Sequence, residues 1–171
     1  MTNRTLFFAL WPDDRQRDRL RDFITPVAKL VEGRIIDRRD WHVTLVYIGD
    51  VEERYIPEIQ ERTAAIHFEP FRLRLDKLEF WPRPKIAALV PPRVPPELDN
   101  LVEELKGVVF ASRNEPVDRI YRPHITVVRN ARPFETQRLS QASVSEWANF
   151  ELMESVPDRG GRIYRPLVND F

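Results

Sequence analysis

Apolar residues along this chain occur either in short runs or in stripes at helical spacing. Leu6 to Trp11 is continuously apolar and strand-length, so it predicts a buried first strand. Of Phe7 and Phe8, one must face the core and the other the opposite side. Pro12-Asp13-Asp14 then opens a helix with Leu20, Phe23, Ile24, Val27 and Leu30 on one stripe, and Pro26 predicts a kink or an early end. Residues 33–37 form a short strand candidate, and Trp41–Ile48 a stronger one that Gly49-Asp50 should close. A second helix is predicted over residues 53–66, with Ile56, Ile59 and Ile66 on one side. Phe71-Arg72-Leu73-Arg74-Leu75 alternates strictly, as a half-buried strand does, and Ile86–Val90 is another strand between stiff proline clusters. The third helix starts at Pro96 and carries Leu98, Leu101, Val102, Leu105, Val108 and Val109 as one stripe. Ile125–Val128 reads as a strand, Trp147–Met153 alternates as another, and Gly160-Gly161 marks a hairpin before Ile163–Val168. Short strands mixed with a few helices predict an α+β fold, with antiparallel sheet packed against helices. No stretch looks like a linker between independent units.

Composition narrows the chemistry. The 171 residues are 42% hydrophobic, enough to bury a core. The 27 basic and 27 acidic side chains cancel, so any contact with nucleic acid should be local rather than a general basic coat. There is no cysteine, which removes disulfides, thiolate catalysis and cysteine-ligated zinc. The apolar run near the N-terminus is too short for a signal-peptide core, and no later run approaches the roughly 18 residues of a membrane span. The expectation is a soluble cytoplasmic protein and a monomer, with no membrane attachment, no metal and no cofactor.

A short internal repeat carries the candidate chemistry. Trp41-His42-Val43-Thr44-Leu45-Val46 and Pro123-His124-Ile125-Thr126-Val127-Val128 both read His, aliphatic, Thr, aliphatic, aliphatic, one copy in each half of the chain. Residues two apart on a strand share a face. His42 therefore shares a face with Thr44, and His124 with Thr126. If the halves are related by a pseudo-two-fold, both pairs can converge on one cleft. Two imidazoles suit the hydrolysis of a cyclic phosphodiester, because histidine can serve as acid or base near pH 7. The hydroxyls can donate to non-bridging phosphate oxygens, where charge builds. A lone strand histidine is most often a satisfied structural residue. With only three histidines and seven threonines, two His-x-Thr matches arise by chance on the order of once in 200 such chains. His67 lacks the threonine and falls near the predicted end of the second helix, where it could cap carbonyls.

These paired motifs resemble the two-histidine phosphoesterase superfamily, and within it the RNA 2′,3′-cyclic phosphodiesterase branch, also described as 2′-5′ RNA ligase-like. The likeness extends to Arg4–Leu10 as a first strand, Asp40–Gly49 around the first motif, Leu78–Pro84 as an aromatic-proline loop, Arg122–Arg129 around the second motif, and Gly161–Leu167 as a last strand. The resemblance implies a bilobal domain over residues 1–171, each lobe an antiparallel sheet with helices on its outer face and the cleft between the sheets. It implies hydrolysis of an RNA terminal 2′,3′-cyclic phosphate to a 2′-phosphate, with His42 as proton donor, His124 as proton acceptor, and Thr44 and Thr126 holding the phosphate. Sequence alone does not separate the two histidine roles. It also places Arg129 near the site, although a regular strand would turn that side chain away from His124 and Thr126, so a bulge or a strand end is needed. Tyr121 and Arg122 are candidates for the mouth of the cleft. Trp41 departs from the polar or small residue expected there; it suits packing, and its ring is also available as a base platform. Three alternatives stay open: a cyclic phosphodiesterase of small nucleotides, a 2′-5′ RNA ligase, and a non-catalytic RNA-binding module on the same scaffold.

Overall fold

The computed structural model describes residues 2–113, 115–117 and 119–167. Its elements in chain order are β1 (Asn3–Leu10), α1 (Asp14–Ala28), β2 (Arg34–Ile35), β3 (Val43–Glu52), α2 (Ile56–Ala64), β4 (Phe71–Trp81), β5 (Ile86–Val90), α3 (Pro96–Arg113), β6 (Ile125–Arg129), β7 (Gln137–Trp147), β8 (Glu151–Asp158) and β9 (Gly161–Pro166). The fold is α+β. The strands follow the order β7-β4-β5-β6-β3-β1-β8-β9, with β2 beside β6, and every pairing is antiparallel.

The sheet has a seam. β6 closes a half made of β7, β4 and β5, and β3 opens a half made of β1, β8 and β9. Across the seam, among the described residues, only Val43 and Ile125 are paired. The two halves are thus sheets in their own right, continuous through one pair of residues that begin their strands. α1 lies against β6 and β7 of one half, while α2 and α3 pack together and α3 covers β3 of the other. The shared core takes Leu6, Phe8 and Leu10 from β1, Val43 and Leu45 from β3, and all six stripe residues of α3. Fully burying one such aliphatic side chain is worth about 1.5–3 kcal/mol, so the α3 stripe alone anchors that helix firmly.

Local chemistry explains where elements begin, and why some depart from expectation. Asp13 caps α1 and forms a capping box with Gln16. Pro26 lies in the last turn of that helix, which ends at Ala28, short of the last predicted stripe position. Leu30 falls beyond the helix and is exposed. The second helix is shorter than predicted, a 3-10 turn at Glu53–Tyr55 preceding α2. Gly49 does not close β3: it sits at φ 85 beside a bulge, and the strand runs on to Glu52. The predicted strand Trp147–Met153 is in fact the end of β7, a loop at residues 148–150 and the start of β8. The last predicted strand ends at Pro166, and Val168 lies outside the described residues.

Candidate functional site

The pairing at the seam decides how the two motifs meet. Val43 faces Ile125 in antiparallel register, and both are buried on the core side. Carried one step either way, that register sets His42 against Thr126 and Thr44 against His124, all four on the opposite face. All four line one cleft of about 710 Å³. The repeat continues past the threonines. β3 carries an extra residue at Leu45, between the pairs Phe8–Val46 and Ala9–Thr44. β6 carries an extra residue at Val127, between Ala87–Val128 and Ala88–Thr126. A bulge turns two successive side chains inward, and Leu45-Val46 and Val127-Val128 are indeed both buried. The bulge then returns the next residue to the cleft face. In β6 that residue is Arg129, which lines the cleft; in β3 it is Tyr47.

Each histidine is fixed by its own strand. His42 Nδ1 is 2.6 Å from the Asp40 carbonyl, and His124 Nδ1 is 2.9 Å from the Arg122 carbonyl. A carbonyl can only accept, so Nδ1 carries the hydrogen in both rings and Nε2 is left toward the cleft. Thr44 Oγ1 lies 3.0 Å from His42 Nε2 and donates to it. A small apolar cluster floors the cleft in each half: Phe7, Ala9 and Met153 in one, Ile86, Ala88 and Val90 in the other. Phe7 is thus the cleft-side member of the Phe7-Phe8 pair, 5.4 Å from the His42 ring. Trp11 stacks on His42 at 5.5 Å and Tyr164 meets it edge-on at 5.3 Å, while Trp81 packs on His124 at 4.3 Å. This packing disfavours charge. Burial pushes His42 down to about 4, opposed by the bond to Asp40 and reinforced by His124, Arg129 and Arg17. Burial likewise lowers His124, opposed by the Arg122 carbonyl and reinforced by the charges of Arg122 and Arg129. Without a bound anion, both rings are neutral at pH 7.

Known proteins similar to this chain fall in one family. The profile of the family described as LigT like Phosphoesterase matches residues 10–91. An RNA 2′,3′-cyclic phosphodiesterase of Aeropyrum pernix is 30% identical over 161 residues, covering 87% of this chain and 90% of that protein. The chain belongs to the LigT-like phosphoesterases. A second relative, the RNA 2′,3′-cyclic phosphodiesterase of Archaeoglobus fulgidus, is 23% identical over 173 residues, covering 95% of this chain and 97% of that protein. Among solved structures, Escherichia coli LigT complexed with 3′-AMP superposes with a TM-score of 0.86 at 24% identity, over 98% of this chain and 97% of that one.

Within this LigT-like phosphoesterase, the remaining candidates divide. Arg129 reaches the cleft by way of the Val127 bulge. Tyr121 and Arg122 do not line the cleft; they line a neighbouring groove, because residues 121–123 approach β6 from that side. The Tyr121 hydroxyl donates to the Thr44 carbonyl at 3.2 Å, and burial pushes its ionisation up. Arg122 lies over the Trp81 ring at 4.2 Å and pairs with Glu79 at 3.1 Å. Trp41 packs, as its apolar side chain suits, and is not a base platform. It is 3% exposed, in the core, on the opposite face from His42, and no base can reach it. His67 is exposed in the loop after α2 and does not line the cleft. Arg34, Arg162 and Tyr164 complete the cleft wall, and nothing local in the sequence signals them, since β2 and β9 bring them in. Trp81 is signalled only by its place in the aromatic-proline stretch. Among the described residues, no group of three or more histidines and carboxylates is gathered as a metal site.

Proposed function

We propose that this phosphoesterase hydrolyses terminal 2′,3′-cyclic phosphates of RNA to 2′-phosphates, with His42 and His124 as its acid and base. The observation that carries the reading is the single Val43–Ile125 pair, whose register puts two His/Thr pairs face to face on one cleft wall. The curated relatives named RNA 2′,3′-cyclic phosphodiesterase support the substrate.

In this scheme water attacks phosphorus, and the bare Nε2 of His124 takes its proton. The P–O3′ bond breaks, its electron pair stays on O3′, and Nε2–H of His42 protonates that oxygen. Phosphorus remains on O2′, and the rings exchange protons with solvent before the next turnover. Thr44 and Thr126 donate to the non-bridging oxygens, and Arg129 neutralises the charge that develops there. The bond from Thr44 to His42 Nε2 is given up to the phosphate. No step requires a metal.

A donor that titrates at about 4 holds no proton at pH 7, so His42 must acquire one with the substrate. A phosphodiester anion about 4 Å away at an effective dielectric near 20 is worth about 4 kcal/mol, or about three pK units. That is enough to raise the His42 pKa to about 7, so that the ring can carry a proton at neutral pH. Substrate charge thereby loads one ring as the acid, and the like-charge repulsion between His42 and His124 keeps the other neutral as the base.

The test is incubation of an RNA ending in 2′,3′-cyclic phosphate, with EDTA present, and identification of the product. A 2′-phosphate that is lost in His42→Ala and in His124→Ala is expected. Full activity in either variant would overturn the pair, and activity abolished by EDTA would overturn the metal-independent scheme.

A further inference from the structure

Thr44 and His124 line a second concavity as well as the cleft. It is a groove of about 530 Å³ between β3, the C-terminal part of α3 and the segment leading to β6. The hydrolytic scheme uses none of its other walls. We propose that this groove carries the RNA strand upstream of the cyclic phosphate, so that the enzyme selects oligonucleotide ends over mononucleotides. The inference rests on the RNA-end reading above and deepens it.

Three observations point to single-stranded nucleic acid. The first is continuity, because a polymer whose scissile phosphate sits between His42 and His124 needs an exit, and the groove begins at His124 and Thr44 themselves. The second is charge. The groove wall holds Lys106, Arg113, Arg119 and Arg122; Glu103, Glu115 and Glu79 pair with the first, second and last of these, so among the described residues the cations exceed their carboxylates by one. Arg113 is pinned by the Ile48 carbonyl at 2.8 Å, Lys106 by Glu103 at 3.0 Å and Arg122 by Glu79 at 3.1 Å, whereas Arg119 is exposed. The third is the lip. Tyr47 is 55% exposed there, at the position that Arg129 holds in the other half. An exposed ring beside a basic track is the arrangement on which successive bases stack whatever their identity. The pseudo-two-fold is thus broken in a useful sense: one half offers a guanidinium to the reacting phosphate, and the other an aromatic face to the neighbouring nucleotide.

Binding and turnover test this separately. Fluorescence anisotropy would compare a labelled hexanucleotide RNA ending in 2′-phosphate with 2′-AMP as competitor. The RNA is expected to bind about tenfold or more tightly, from stacking and phosphate contacts together. Two phosphates neutralised in the groove would make RNA affinity fall about sevenfold between about 50 and about 200 mM salt beyond any fall for 2′-AMP. Arg119→Glu should reduce the length advantage and leave 2′-AMP affinity and hydrolysis of adenosine 2′,3′-cyclic phosphate unchanged. Tyr47→Ala should weaken the RNA more than the mononucleotide. Equal affinities for the two ligands, or an Arg119→Glu variant whose preference for RNA is undiminished, would overturn the groove. Length-dependent binding without hydrolysis of either cyclic phosphate would sustain the groove and overturn the catalytic reading, so the two failures are distinct.

Discussion

The loading of His42 by an anion is the most direct physical consequence of the site. His42 is packed by Trp11, Phe7 and Tyr164, and its ring is pushed down to about 4. Adding sulfate, whose charge does not change across the working pH range, places a fixed anion where the phosphate would sit. One unit of opposite charge about 4 Å away, screened at an effective dielectric near 20, raises the pKa by about three units, and a second charge adds to this. The assay is a proton NMR titration of the imidazole Cε1–H resonances, which the chain's three histidines make tractable. Ligand-free His42 is expected to stay neutral down to about pH 5 and, with sulfate bound, to titrate near pH 7 or above. By linkage, sulfate must bind more tightly as pH falls toward 5, because the proton and the anion favour each other. A ligand-free midpoint near 6.5 would refute the desolvation of His42. A midpoint that stays low with sulfate bound would refute its role as donor, since nothing would then charge it.

Other outcomes follow from the same contacts. Because the folded pKa of His42 lies below its unfolded value of 6.5, the protein should be fully stable above pH 6.5 and lose stability as pH falls from 6.5 to 4. The full shift corresponds to about 3 kcal/mol, and about half of that after allowing for solvent at the open mouth, so denaturant titrations should show His42→Gln losing about 1–2 kcal/mol less than the wild type on acidification. Arg17 acts on His42 indirectly. It is buried, donates to the Arg38 and Trp41 carbonyls at 2.6 and 3.2 Å on either side of Asp40, and lies 4.8 Å from the Trp11 ring. Arg17→Met should lower kcat about tenfold with little change in KM and raise the His42 midpoint by loosening its packing, with partial rescue in Arg17→Lys. Gly33 has φ 151, and a Cβ there would meet Val128 Cγ1 at 2.6 Å and the Arg129 carbonyl at 2.9 Å. Gly33→Ala should therefore cost about 2 kcal/mol or more in urea unfolding and reduce turnover by displacing Arg129.

The sequence made the repeat legible because a strand's faces follow from counting by two, and both histidine motifs keep that count. α3 was equally legible, since its stripe obeys one period and ends in the core it predicts. What escaped depends on which strands become neighbours. Trp147–Met153 alternates without interruption, yet Trp147 pairs at one edge of the sheet with Phe71 of β4, and Met153 pairs in the other half with Phe7 of β1. The chain has to cross the molecule in between, and no local period records that. Trp41 and Trp11 show the same limit: each lies near His42 through chain or sheet neighbourhood, but Trp41 alternates into the core, while Trp11, just past the end of β1, reaches the His42 ring from the adjoining strand.

Arg129 lies between these cases. Counting by two from His124 turns it away from the cleft, and only a bulge brings it back. That bulge has a signature in the residues themselves. A half-buried strand should alternate, yet after each threonine the chain places two aliphatic residues in succession, Leu45-Val46 and Val127-Val128, and all four are buried. Two adjacent inward side chains require one extra residue on that strand, and the extra residue resets the faces beyond it. The aliphatic doublet is therefore more than backing for the histidine. It is what carries Arg129 to the phosphate side in one half and Tyr47 to the groove lip in the other. Shortening β6 by deleting Val127 would leave a regular strand with Arg129 turned into the core, removing the cation from the cleft while both histidines kept their places.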